Sequence, residues 1–484
     1  MALAAVLLPL LGSVAIYAIG SDGARRRLAA ALAAAEVLLT AAVAAWGRGE
    51  TLVFFAPAPD LAFSLRPDAL GCAFALLAAV VWLPVTVYAA PYMGHEGDER
   101  RFFTFFTATL GALVGACLAA DMLSFYLFFE GVTLCSLPLV IHTRRMGSLP
   151  AGVQYLGYSV FGAALGLVGL FFLQSWCPGA AFTPGGVLPG AVPRETALVV
   201  AFLMLLGFSA KAGLFPLHPW LPTAHPVAPS PASAVLSGII TKSGVLAALR
   251  LVFYVFGPDL LRGSWVQTVF LGLGLTTVFL GSMLAYKEPV LKRRLAYSSV
   301  SQLAYVLFGI FLLDAAGLAG ALLQVLFHAF AKNALFLAAG TLLLAGVRRA
   351  DEIRGTGKAL PVTMWCFALA SLSLIGIPPA GGFVSKWYLC LGALESGLGP
   401  LAWVGVAVLL VSAVLTAGYL LPLVRDAFFP GKGETPQLPQ PVREGAATAL
   451  PMCFFAGMTI LPALALGPLG RFLSDLAGTL LPGT

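Results

Sequence analysis

Apolar segments long enough to cross a bilayer recur along the whole of this 484-residue chain. A hydrocarbon core takes roughly 20 residues of helix to span. About fourteen such segments are legible, at 2–20, 28–46, 69–91, 102–120, 122–142, 151–175, 196–215, 230–256, 265–286, 293–313, 317–346, 360–393, 401–424 and 446–467. The expected fold class is therefore an all-α polytopic membrane protein. With 60% hydrophobic residues, 10% charged residues and a mean hydropathy of +0.94, the chain cannot be a soluble globular domain. The longest polar stretch, Arg425–Glu444, is too short for a soluble domain. The first span has no basic region before it and no cleavage site, so it reads as a retained helix.

Five ionisable side chains lie inside the spans: Glu130, Lys211, Lys242, Lys332 and Lys386. On insertion scales a central Lys or Asp costs roughly 2.5–3.5 kcal/mol. A chain that keeps such residues is using them, and the default reading is an ion or proton path. The other basic residues crowd into loops after odd-numbered spans, such as Arg25–Arg27, Arg144, Arg145, Arg348 and Arg349. The opposite loops hold Arg48, Arg66, Arg194, Arg262 and Arg471. Positive charge stays inside. This puts the odd-to-even loops in the cytoplasm and both termini outside. The net charge of +7 follows from this loop bias and needs no nucleic acid.

Two spans are interrupted. Span 7 runs into LFPLHPWLPTAHPVAPSP, with helix breaks at Pro216, Pro219 and Pro222; span 12 holds GIPPAGG, with breaks at Pro378 and Pro379. Proline removes a backbone donor, and non-helical backbone at membrane depth survives only in protein or beside a wet cavity. Each break lies near a lysine, Lys211 in one case and Lys386 in the other. The breaks fall in the fourth member of spans 4–8 and of spans 9–13. Units of five spans in tandem must be oppositely oriented, which gives two inverted repeats with a site near the midplane. The expected organisation is an N-terminal three-helix segment (1–101), a first five-helix repeat (102–256), a second inverted repeat (264–425) and a C-terminal helix and tail (426–484).

Glu130, near the middle of span 5, needs a partner, and Lys211 is the natural one; the bland alternative is a static ion pair that fixes helix packing. Lys242 lies among Ser237, Thr241 and Ser243, too deep for easy snorkelling. In span 11, Gln324, His328 and Lys332 recur every four residues on one helical face. A lone histidine there would read as packing; the three-residue stripe reads as a proton relay. Span 10 adds Ser298, Gln302 and Tyr305. His218 and His225 flank the first break. Together with Gln324, these residues are candidates for channel access or gating, with capping or structural roles equally open to the histidines. Glu36 is a weaker candidate, facing a partner subunit or a polar pocket. His142 and Arg250 end their spans and are expected at the membrane interface.

The seven cysteines are scattered, with no CxxC and no Cys/His cluster, so no metal site is expected. No P-loop or GxGxxG is present, so no cofactor is expected in this chain.

The stretches FYLFFEGVTLCSLPLV, GFSAKAGLFPLHPWLPTAHPVAPSPASAVLSGIITKSGVLAALR, LKRRLAYSSVSQLAYVLFGI, LFHAFAKNALFLAAG and SLIGIPPAGGFVSKWYL closely resemble one family. It is the antiporter-like subunits shared by respiratory complex I, membrane-bound hydrogenases and Mrp-type cation/proton antiporters. The wording is most similar to Mrp D-type and hydrogenase-type members. The resemblance implies that Glu130 modulates Lys211, that Lys242 connects the halves, that His328 and Lys332 relay, and that Lys386 is the terminal carrier. It also implies other membrane subunits as partners, protons and in some members Na⁺ as cargo, and a prokaryotic cytoplasmic (inner) membrane. The function expected is proton translocation within a redox-driven pump. The alternatives are an Mrp-type Na⁺/H⁺ antiporter component without redox chemistry, and a non-transporting membrane scaffold.

Overall fold

The structure, a computed structural model, describes residues 1–58, 61–430 and 438–481. The helices in chain order are α1 (Ala2–Ala18), α2 (Asp22–Trp46), α3 (Ala69–Glu96), α4 (Glu99–Leu118), α5 (Met122–Val140), α6 (Ser148–Trp176), α7 (Arg194–Ala212), α8 (Trp220–Val227), α9 (Ser230–Val235), α10 (Lys242–Arg250), α11 (Pro258–Leu261), α12 (Trp265–Lys287), α13 (Leu291–Phe311), α14 (Ala315–Leu344), α15 (Thr356–Ala359), α16 (Pro361–Ile375), α17 (Gly381–Glu395), α18 (Pro400–Phe428), α19 (Ala446–Met458), α20 (Leu461–Leu464) and α21 (Leu466–Leu480). Among the described residues, eleven helices are long and apolar enough to cross a membrane. α1 and α16 are apolar but shorter than that.

Burial sorts these helices into layers. The continuous segment Ser230–Val255 is enclosed throughout, and α14 nearly so, whereas α6 and α18 turn most of their surface outward. The outer helices therefore carry apolar side chains on their exposed faces (Phe161, Phe171, Leu410 and Val414), as lipid requires. α14 packs against α3, α9, α13, α16, α17 and α19, which makes it the axis of the molecule. Glycine allows the close approaches: a Cβ on Gly244 would stand 2.7 Å from the Ala212 nitrogen, so α10 lies directly against α7.

The Ser230–Val255 segment is not uniform. Single π-helical turns at Leu236–Ile240 and Leu251–Val255 flank α10. Such wide turns cluster at functional positions in helices.

The first interruption comes between α7 and α8, where Gly213 takes a left-handed conformation (φ +75°) and ends α7. Pro216 and Pro219 lie in the connection, while Pro222 falls in the first turn of α8 rather than at the break. The second comes between α16 and α17, with Gly376 (φ +91°) as the cap and Pro378 and Pro379 in the connection.

A hairpin, β1 (Leu52–Ala58) and β2 (Leu61–Leu65), is not evident from the span pattern. It is seated on the α4–α5 joint, where the Ser64 hydroxyl donates to Asp121, the residue that caps α5.

Candidate functional site

Five lysines are buried in the helical bundle, with Lys242 and Lys332 fully enclosed, Lys211 and Lys292 2% exposed and Lys386 9% exposed; Lys292, in the first turn of α13, donates to the Ala228 carbonyl. A buried ammonium needs acceptors for its three donors, and each lysine has found a different set.

Lys211 is the penultimate residue of α7. Its Nζ donates to the Thr133 hydroxyl at 2.6 Å and to the Tyr155 hydroxyl at 3.1 Å. The faces of Phe129 and Tyr155 stand 5.4 and 5.0 Å away, within cation–π range. The expected direct ion pair with Glu130 is not formed. Glu130 Oε1 is buried without a hydrogen-bond partner, although the two charges remain within electrostatic reach. The reason is helical geometry: Thr133 lies one turn beyond Glu130 on α5, so the hydroxyl takes the place next to the ammonium. Glu130 itself is half-buried beside the exposed Leu127 and Leu134 on the outer face of α5.

Lys242 opens α10, directly after the first π turn. Its Nζ donates to the Ser237 carbonyl at 2.6 Å and lies 2.7 Å from Nδ1 of His328, on α14. The other imidazole nitrogen, Nε2, is buried and unpartnered. Lys332, one turn further along α14, donates to the Leu295 carbonyl at 2.9 Å and to the Ser298 hydroxyl.

A polar thread continues toward the second break. Gln324 Nε2 donates to Gln302 Oε1 at 2.7 Å, and the Ser385 hydroxyl donates to Gln324 Oε1 at 2.5 Å. The next residue, Lys386, donates to the carbonyls of Leu374 (2.6 Å) and Ile375 (2.9 Å). These are among the last carbonyls of α16, which the helix cannot satisfy itself and which carry its negative dipole end. The Tyr305 ring lies 5.2 Å from Nζ, and its hydroxyl is committed to the Leu409 carbonyl. A Cβ on Gly376 would meet Lys386 Cδ at 3.0 Å, so this glycine supplies both the left-handed cap and room for the lysine.

The structure thus brings Lys242 to His328, Lys332 to Ser298, and Gln302, Gln324 and Ser385 into one chain. Among the described residues no direct hydrogen bond joins Lys211 to Lys242, or Lys332 to Lys386. His218 stacks on Phe215; His225 is fully buried, stacked on Phe336, with neither ring nitrogen hydrogen-bonded. Glu36 faces no polar partner: it is sealed among helices with both carboxyl oxygens unpartnered.

Two interface expectations are corrected. His142 is buried, its Nε2 paired with the Gly97 carbonyl at 3.1 Å. Arg250 is 1% exposed and is held by Asp68, at 2.7 Å from NH2 to Oδ1, between the faces of Phe182 and Tyr254. A guanidinium at a span end can stay enclosed when a carboxylate neutralises it. Asp68 precedes α3 and also caps it. Burial works against its charge, but Arg250 and the Gly71 amide more than offset that and hold the carboxyl below its ordinary range. Thr133, Tyr155 and Ser385 are contacts that the sequence pattern did not single out. Thr133 was accessible from its helical spacing to Glu130; Tyr155 and Ser385 carried no comparable signal.

The family described as NADH:quinone oxidoreductase/Mrp antiporter, TM, matches residues 119–416. This chain belongs to that family. The match covers both interruptions and every intramembrane lysine. Relatives within the family include the N subunit of the NADH-quinone oxidoreductase of Desulforudis audaxviator, 35% identical with 86% of this chain and 81% of the relative covered. The D-type component of the Na(+)/H(+) antiporter of Alkalihalophilus pseudofirmus is 28% identical, with 87% and 84% covered. The N subunit of the F(420)H(2) dehydrogenase of Methanosarcina mazei is 29% identical, with 79% of each covered. A chain of the Mrp complex from a Dietzia species shares the fold at a TM-score of 0.83 and 23% identity, over 99% of this chain and 98% of its own. A chain of a membrane-bound sulfane sulfur reductase, an archaeal respiratory membrane complex, does so at 0.86 and 21%, over 99% and 97%. The protein is accordingly a multi-pass, antiporter-like membrane subunit.

Proposed function

We propose that this protein carries protons across a prokaryotic cytoplasmic membrane as one subunit of a redox-driven ion pump, with redox centres in partner subunits and no cofactor of its own. The contact that carries this reading is Lys242 Nζ to His328 Nδ1, 2.7 Å apart in the most enclosed part of the molecule. A buried lysine in hydrogen-bond contact with an imidazole places a proton donor directly against a group that can take the proton up. Burial penalises two cations in contact far more than one shared charge.

Protons pass among Lys211, Lys242, His328, Lys332 and Lys386, with water and the Ser298, Gln302, Gln324 and Ser385 side chains bridging the longer steps. Glu130 biases Lys211 through space, without a hydrogen bond between them. The helices form about fourteen spans; residues 102–256 and 264–425 are two inverted repeats, flanked by 1–101 and 426–484, and both termini lie outside. The matching positions of the two capped breaks, each beside a lysine, support this arrangement.

A second reading, exchange of Na⁺ for protons without redox chemistry, is favoured by the 28% identical antiporter relative. The test is proton uptake by the purified complex in liposomes. Lys211→Ala and Lys386→Ala abolish uptake in assembled complexes if the line carries protons, and leave it intact if the chain is a scaffold. Uptake driven by an electron donor supports the pump; uptake driven only by a Na⁺ gradient supports the second reading.

A further inference from the structure

On the face that carries the Arg145 and Arg348 loops, a cavity of about 570 Å³ opens near the ends of α3 and α14, and its lining includes Tyr92, His95, Glu96 and Thr341. Hydroxyls continue inward from it. Thr341 Oγ1 lies 3.1 Å from the Tyr88 hydroxyl, and the Tyr92 hydroxyl lies 3.3 Å from Ser230 Oγ. Both pairs converge on Gly340, where a Cβ would stand 2.7 Å from the Tyr88 hydroxyl oxygen and 3.0 Å from Ser230 Oγ. The missing side chain keeps these groups within reach of one another.

Ser230 begins a stripe. The buried Ser233 and Ser237 follow three and seven residues later, on the same helical face. The Ser237 carbonyl is an acceptor for Lys242 Nζ. Beside the stripe, the Ser233 hydroxyl donates to the His225 carbonyl, and the His225 ring keeps two buried, unpartnered nitrogens. Buried polar atoms in that state are where interior water is held.

We propose that protons enter from this face through the cavity, pass Tyr92 and Ser230, and follow the serine stripe and His225 to the Lys242–His328 pair. Each hydroxyl accepts one proton as it releases another, so the path involves no net chemistry. The proposal rests on the proton-carrying reading above and adds to it a mouth between α3 and α14, away from both helix breaks. The competing role for the tyrosines is a staple between α3, α9 and α14, which needs no water.

The test uses the assembled complex in membrane vesicles of each orientation. His95→Cys, at the exposed rim, is treated with a membrane-impermeant cationic methanethiosulfonate, with the unsubstituted protein as control. Modification from the basic-loop face is expected to slow proton transport several-fold, and treatment from the other face to do nothing. Tyr92→Phe with Ser230→Ala is expected to slow transport several-fold without reagent, at unchanged assembly. Labelled His95→Cys with full transport, or no labelling at all, overturns the route. Lys242→Ala runs in parallel: full transport in that variant overturns the parent reading, whereas its loss beside unimpaired cysteine and hydroxyl variants overturns the route alone.

Discussion

Lys242 and His328 share a hydrogen bond across two elements 86 residues apart in sequence, at 2.7 Å. The lysine sits where a π turn gives way to α10, and the histidine projects from the middle of α14. If the lysine is the donor, Nδ1 carries no proton and Nε2 must carry one. Transfer of the lysine's proton to Nδ1 makes an imidazolium, which can release its Nε2 proton to water and leave Lys242 neutral, so the pair can pass one proton onward.

The pair should behave as a unit. Lys242→Ala and His328→Ala are each expected to lower proton transport by about tenfold or more, the rate equivalent of ~1.4 kcal/mol. The double variant should be little worse than either single one, as groups acting together are non-additive. Initial rates of dye-reported acidification check this; additive losses would separate the two residues.

At the other end of the line, Thr133 accepts from the Lys211 ammonium, while Glu130, three residues earlier on α5, makes no hydrogen bond to it. Thr133→Val keeps the shape and removes the acceptor that Lys211 now uses. The expected result is a several-fold loss of transport. Glu130→Gln should add its own loss on top of it, since the carboxylate acts on Lys211 through space and not through that hydroxyl. A double variant no worse than Thr133→Val alone would remove Glu130 from the control of Lys211.

Gly376→Ala should harm the second half by two means. It forces a left-handed conformation on a residue with a Cβ, costing roughly 1–2 kcal/mol, and it crowds Lys386. Transport should fall more than stability does. Gly376→Asn, which tolerates that backbone better, should recover the fold but not the rate, as judged by thermal unfolding beside transport.

The Asp68–Arg250 pair is structural. Asp68→Asn leaves a buried guanidinium unpaired and is expected to cost about 3–5 kcal/mol. The pH dependence follows the same interaction. Because the folded carboxyl titrates below its unfolded range, its stabilisation is complete above the unfolded value of roughly 4 and is lost as pH falls through the lower folded value. Thermal melts in detergent between neutral and acid pH should show this acid loss in the unsubstituted protein and not in Asp68→Asn.

By itself the sequence determined the membrane class, the helical build, both interruptions and four of the five buried lysines, all but Lys292. The reason is that hydrocarbon imposes rules readable one segment at a time: apolar length, the cost of charge, and proline at a break. Tertiary structure decided which group meets which. Nothing local in GIITKSGV states that its lysine meets the histidine of LFHAFAK, or that Leu374 and Ile375 offer Lys386 their free carbonyls. Arg250, at the end of a span, looked destined for the membrane surface until Asp68 arrived from α3's cap to enclose it. Those pairings depend on how helices are rotated and stacked, and that is set by packing across the whole bundle, such as Gly244 admitting α7 and Gly340 letting Tyr88 and Ser230 close in on α14.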